Sequence, residues 1–125
     1  MNRNLVFSMC PKCKALVKVI HGCECENCGI MCCNEKMITI KPNSSDGAVE
    51  KHKPEYKIEG EYVVVNVNHV MDIDHYIEWI CFLTNEKEEY IYFNPGDKPE
   101  ARFKKSDAFK IYAKCNKHGI WETEM

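Results

Sequence analysis

Nine cysteines among 125 residues are the first chemical signal of this chain. Seven fall between Cys10 and Cys33, while Cys81 and Cys115 stand alone further on. Cys10-Pro-Lys-Cys13 has the spacing of a metal-binding knuckle, a tight turn that aims two thiolates and its own amides at one ion. Two other pairs can complete a four-sulfur site with it. Cys25-Glu-Asn-Cys28, closed by Gly29, would give CxxC-x11-CxxC, a zinc-ribbon or rubredoxin-like pattern. The adjacent Cys32 and Cys33 would need a distorted turn, because neighbouring side chains of an extended strand point to opposite faces. Spacing alone favours the ribbon. Cys81, between Ile80 and Phe82, reads as a small core residue.

Four of the five histidines, His52, His69, His75 and His118, lie in the second part of the chain; His21 in the first reads as a non-ligand. Cys115-Asn-Lys-His118-Gly119 is a C-x-x-H turn that presents a thiolate and an imidazole from one loop. His69 and His75 share neither a helix face nor a strand face, so they converge only if the loop between them folds back before the next strand. Each histidine alone reads as an ordinary polar residue; together with a lone cysteine they read as a set. Four imidazoles and one thiolate fill five positions of an octahedral metal and leave the sixth open, which favours redox iron over four-coordinate zinc. A thiolate ligand pushes electron density toward whatever binds opposite it. Such a centre suits reduction of a small ligand. Glu50 and Lys51 directly precede His52. There they are either a solvated charge pair or a carboxylate and a cation beside the open position, the cation drawing in an anion.

The elements that must position these residues divide near residue 40. Residues 1–40 carry a net charge of +2 and the remainder −4. Lys41-Pro-Asn-Ser-Ser-Asp-Gly47 between them is turn and linker chemistry. Residues 1–40 therefore form a small domain that needs a metal staple, since so short a chain buries too little apolar surface to fold alone; 41–47 form a linker; 48–125 form the second domain. In the latter, Tyr62 to Val67 alternates Val63, Val65 and Val67 on one face, and Tyr76 to Leu83, Glu89 to Phe93, Phe109 to Ala113 and Ile120 to Thr123 read as further strands. No stretch of ten keeps a helical period. The fold class expected is mostly β, an antiparallel sandwich behind a metal-stapled head.

In order along nearly the whole chain, five segments resemble the desulfoferrodoxins, two-centre superoxide reductases. They are Cys10-Pro-Lys-Cys13 with Ile30-Met-Cys-Cys33; Glu50-Lys-His-Lys-Pro54; His69-Val-Met71; His75-Tyr-Ile-Glu-Trp-Ile80; and Cys115-Asn-Lys-His-Gly-Ile-Trp121. The resemblance implies a desulforedoxin-like head in which Cys10, Cys13, Cys32 and Cys33 hold a rubredoxin-type iron, or zinc. That reverses the preference from spacing. It also implies an immunoglobulin-like β-sandwich over 48–125 in which His52, His69, His75 and His118 ligate a second iron equatorially and Cys115 axially. Glu50 would be the sixth ligand of the oxidised resting state and Lys51 the cation that steers superoxide. The implied reaction is one-electron reduction of superoxide to hydrogen peroxide, with electrons from a rubredoxin-like donor and the chain as a homodimer. This sequence departs from the family at Val70, in place of a proline, at Asn34 and Lys36, in place of glycine and proline, and in the additional Cys23, Cys25 and Cys28.

A second class of function is a zinc-ribbon interaction module or a simple electron carrier with incidental histidines. Nucleic-acid binding is disfavoured by a net charge of −2 and a basic run no longer than Lys104-Lys105. No export signal precedes Cys10 and the longest apolar stretches are far too short to span a bilayer, so a cytoplasmic location with reduced thiols is expected.

Overall fold

The structure is a computed structural model that describes residues 1–25, 29–45 and 47–125, with the side chain of Glu50 outside the description. The chain divides into two compact units, Asn4–Lys41 and a larger one made of Met1–Arg3 with Pro42–Met125.

In the smaller unit, β1 (Phe7–Met9) lies between β2 (Leu16–Lys18) and β5 (Ile38–Ile40), antiparallel to both. A separate hairpin pairs β3 (Met31–Cys32) with β4 (Glu35–Lys36). Strands of two or three residues bury little. Within this unit only Leu5, Phe7, Ser8 and Cys10 are buried among the described residues, which leaves cross-linking by its cysteines as the source of order.

The larger unit begins with a single turn, α1 (Val49–His52), followed by β6 (Glu55–Glu59), β7 (Tyr62–Asn66), β8 (Ile77–Leu83), β9 (Glu88–Tyr92), β10 (Glu100–Lys104), β11 (Lys110–Cys115) and β12 (Gly119–Glu124). They form two antiparallel sheets, β10-β7-β6 and β12-β11-β8-β9. This is a sandwich of three strands on four, the strand count of a constant-type immunoglobulin fold. The alternation of Val63, Val65 and Val67 points these side chains into the core, where they meet Ile77, Ile80, Phe82, Phe103, Phe109 and Ile111. Phe82 of one sheet stacks on Phe103 of the other with centroids 4.7 Å apart.

Five of these strands coincide with the stretches read from sequence. The other two, β6 and β10, did not stand out, because Glu-Tyr-Lys-Ile-Glu and Glu-Ala-Arg-Phe-Lys are mostly charged. Each sits at an edge of its sheet and turns only one face inward: Ala101 and Phe103 are buried, while Glu100, Arg102 and Lys104 are exposed. Among the described residues no helix is long and apolar enough to cross a membrane.

Candidate metal centres

The knuckle in the smaller unit starts where β1 ends. The Cys10 amide donates to Ala15 O (2.9 Å) and the Lys14 amide to Cys10 O (3.0 Å), closing a turn that places Lys14 at φ 66°. Opposite it, Cys33 and Asn34 join β3 to β4 with φ of 54° and 60°. Two successive left-handed residues make the tight hairpin turn that matches strand twist. This turn is how a vicinal pair serves one site: leaving the extended conformation at Cys33 brings its thiol round to that of Cys32. Asn34, one of the departures from the family pattern, is among the residues that tolerate this backbone best.

The four sulfurs of Cys10, Cys13, Cys32 and Cys33 lie within 4.8 Å of one another. The sulfurs of Cys13 and Cys32 are 3.7 Å apart and those of Cys32 and Cys33 3.9 Å. A tetrahedral ion with metal–sulfur bonds of about 2.3 Å needs sulfur–sulfur edges of about 3.8 Å, so the donor set fits. The amide of Cys13, 3.4 Å from the Cys10 sulfur, does most to hold that thiol down at about 6. Contacts with the Cys13 and Cys10 thiols push Cys32 up to about 12, and the Cys13 thiol likewise raises Cys33. Four thiolates cannot crowd together without a cation. Of the pair that spacing favoured, Cys25 is engaged in a disulfide and is not one of the four clustered sulfurs, and Cys28 lies outside the described residues. Cys23 is free and exposed, and Cys81, outside any disulfide, is fully buried on β8.

In the larger unit five ligand atoms converge from three places. His52 ends α1 and is 4 % exposed; its Nδ1–H donates to Ala48 O at 2.8 Å, which leaves Nε2 bare. His69 follows β7, its Nδ1–H donating to Val70 O. The loop then folds back as the sequence required: Asp72 and His75 bridge each other, with the Asp72 amide 2.9 Å from His75 O. Cys115 and His118 come from the β11–β12 turn, closed by Gly119 at φ 74°. Backbone acceptors behind a ligand, such as those at His52 and His69, fix which ring nitrogen faces a metal.

The ring positions define a square. Neighbouring centroids are 4.7 Å (His52–His69), 4.6 Å (His69–His75), 5.0 Å (His75–His118) and 4.8 Å (His118–His52), whereas His52 and His75 are 6.3 Å apart across it. His118 Nδ1 is 3.0 Å from His52 Nε2 and 3.2 Å from His75 Nε2. Adjacent ligands of an octahedral ion at about 2.1 Å stand about 3.0 Å apart, so the spacing of these nitrogens fits ligands of one ion. The fully buried Cys115 sulfur lies 3.4 Å from His69 Nε2 and 3.7 Å from His118 Nδ1, close enough to share one ion with them, and it accepts the Lys117 amide at 3.5 Å. Burial, followed by the charges of neighbouring histidines and Lys117, holds His75 below its ordinary value; burial does the same for His69. Neutral rings keep their lone pairs for a metal.

Lys51 lies exposed on α1 beside His52, and Glu50 shares that turn. Sequence reasoning passed over two residues here. Trp121 stacks on His52, and Gly47, at φ 139°, lies so close to the rings of His52 and His118 that a Cβ there would come within 2.9 Å of His52 Cε1. A glycine in turn chemistry just before a ligand was the available signal for the second.

A family profile described as Desulfoferrodoxin matches residues 44–124. The chain belongs to the desulfoferrodoxin family. Over 129 residues it is 38 % identical to the desulfoferrodoxin of Desulfarculus baarsii, covering 99 % of each chain. Among solved structures it resembles the superoxide reductase from Treponema pallidum, with a TM-score of 0.71 and 26 % identity over 97 % of this chain and 99 % of that one. The one-iron superoxide reductase of Giardia intestinalis is 32 % identical with a TM-score of 0.54, covering 61 % of this chain and 97 % of that one. This desulfoferrodoxin thus carries both cysteine and histidine clusters on the family fold.

Proposed function

We propose that the chain is a superoxide reductase whose site is the set His52, His69, His75, Cys115 and His118. The observation that carries this is the square of four imidazole rings with one buried cysteine sulfur beside it, five donors that would leave an octahedral ion one position for substrate. Iron held there supplies the electron. The overall change is superoxide plus one electron and two protons to hydrogen peroxide, with no oxygen released.

The chain's own residues do the rest. The carbonyls of Ala48 and Val70 orient His52 and His69 by accepting their Nδ1 protons. Cys115 would lend thiolate electron density to an ion held there, its sulfur tempered by the Lys117 amide. Lys51 attracts the anion in a chain whose net charge of −2 would otherwise repel it, and Glu50 is the candidate sixth ligand of the resting state. Cys10, Cys13, Cys32 and Cys33 hold a second ion, iron or zinc, as an accessory centre. A rubredoxin-like protein is the electron donor we favour, with a homodimer and a cytoplasmic location.

The test is stoichiometric. Iron-loaded, reduced protein mixed with a superoxide pulse should yield one peroxide per superoxide consumed and no oxygen. Oxygen at half the superoxide lost would mean dismutation and sink the proposal.

A further inference from the structure

We propose that Trp121 is a positioning residue of the five-ligand centre, fixing His52 through its ring and His118 through its indole N–H. The inference rests on reading those five residues as one metal centre. Trp121 is 1 % exposed. Its ring stacks on His52 with centroids 5.1 Å apart and planes inclined by 26°, and its Nε1–H donates to the His118 carbonyl at 2.9 Å. One side chain therefore touches two ligands that arrive from different elements, α1 and the β11–β12 turn.

The strand explains how. In the antiparallel pair of β11 and β12, Cys115 lies opposite Gly119, Ala113 opposite Trp121 and Ile111 opposite Thr123. Alternation puts all six on one face, so Trp121 emerges on the side of the Cys115 thiolate, and the small Ala113 opposite leaves room for an indole. Residues 119, 121 and 123 then form a rail along which the segment before and after α1 is fastened. Gly119 sits so close to Ser45 that a Cβ would come within 3.0 Å of its hydroxyl oxygen, Trp121 carries His52, and Thr123 Oγ1 donates to Pro54 O. Upstream, the Asn43 amide donates to Ile120 O at 3.0 Å and its side chain accepts the Glu122 amide at 2.7 Å. The His118 carbonyl accepts a second donor, the Ser45 hydroxyl. The two donors together hold the backbone that aims His118 Nδ1.

A stacked ring and a hydrogen bond to a ligand's backbone restrict the freedom those ligands would otherwise lose on metal binding, and outer partners of metal ligands typically contribute about 10–100-fold in affinity. Trp121→Phe keeps the stack and removes the N–H; Trp121→Leu removes both; Ser45→Ala removes the companion donor. Each iron-loaded variant is challenged with EDTA at 25 °C, after circular dichroism has shown it folded there like iron-loaded wild type. Loss of iron is followed by the thiolate-to-iron absorption of the five-ligand centre, with the four-cysteine centre in the same chain as reference. Trp121→Leu should lose that iron about 10–100-fold faster than wild type. Trp121→Phe and Ser45→Ala should fall between, with the absorption maximum displaced in both tryptophan variants.

Unchanged retention and an unchanged maximum in Trp121→Leu would make Trp121 a packing residue and overturn the proposal. If Trp121→Leu does not fold, unchanged retention in both Trp121→Phe and Ser45→Ala has the same force. Failure of wild-type protein to take iron at the five-ligand centre would instead overturn the reading of the centre itself.

Discussion

Glu78 of β8 has no residue opposite it in β11, where Lys114 lies opposite Trp79 and Cys115 opposite Ile77, and the Lys114 ammonium reaches back across this bulge to the Glu78 carboxylate. The extra residue shifts the alternation of β8, so that Ile77 and Ile80 both enter the core. It also re-aims the strand ends: on the far side of the bulge β8 adjoins Tyr76 and His75, and β11 runs into Cys115. Bulges redirect side chains in this way beside active sites. Here one sits at the point where both neighbouring strands hand over to ligands.

The pair that spans the bulge is partly buried, with side chains 16 % and 33 % exposed for Lys114 and Glu78. Removing one partner should cost about 1–2 kcal/mol, between the values for surface and for buried pairs. Urea unfolding of Glu78→Gln, Lys114→Met and the double variant checks this. The double variant should be less destabilised than the sum of the singles, because neither charge is then left alone; strict additivity would show that the two groups do not interact.

Lys51 stands exposed next to a buried ligand. If it draws in superoxide, Lys51→Ala should lower the second-order rate of superoxide consumption by about tenfold at low ionic strength and flatten its salt dependence, while Lys51→Arg keeps both. Pulse radiolysis across a salt series reads the effect. An unaltered rate in Lys51→Ala would remove Lys51 from the mechanism.

His69 and His75 are held below the ordinary 6.5, chiefly by burial. In the unfolded chain they take up protons near that value, and in the folded chain they resist. Below about pH 6.5 the unfolded state therefore binds more protons, so stability is present at higher pH and is lost as pH falls. The thermal midpoint of metal-free protein should drop between pH 7.5 and pH 5, and the drop should shrink in His69→Gln and His75→Gln. Equal slopes in variants and wild type would assign the acid sensitivity to other groups.

Sequence is legible where the chemistry is local. The C-x-x-H turn, the paired cysteines and the valine alternation each declare themselves within a few residues. Residues Glu55–Glu59 and Glu100–Lys104 do not, because an edge strand needs apolar side chains on one face only and these have two each. The bulge at Glu78 is invisible in Ile-Glu-Trp-Ile for another reason: it exists only in the register with a partner strand more than thirty residues later. Spacing alone pointed away from the cluster seen in the head. It treats Cys32-Cys33 as extended, whereas left-handed Cys33 and Asn34 turn the pair into one cluster with Cys10 and Cys13, and only the resemblance to relatives carried that information. Trp121 was given no role of its own because that role depends on α1, which at four residues is too short to show any period.

The head supplies the last expectation. Without metal, Cys10 ionises near 6 because the Cys13 amide points at its sulfur, while Cys32 is pushed up to about 12 and Cys33 is raised by the same neighbours. At pH 8 the cluster therefore already holds the Cys10 thiolate, with protons retained on Cys32 and Cys33. Metal binding requires thiolates, so loading must expel those protons. In Cys115→Ser protein, where the head keeps its four-thiol cluster and the other centre has lost its thiolate, cadmium titration at pH 8 should release at least two protons per ion bound, measured with an indicator dye beside the thiolate-to-metal ultraviolet absorption. Affinity should weaken steeply as pH falls. In Cys33→Ser the release should drop by about one proton, since a serine hydroxyl does not ionise in this range. Release of one proton or fewer in the Cys115→Ser protein would mean that Cys32 and Cys33 are already ionised before the metal arrives.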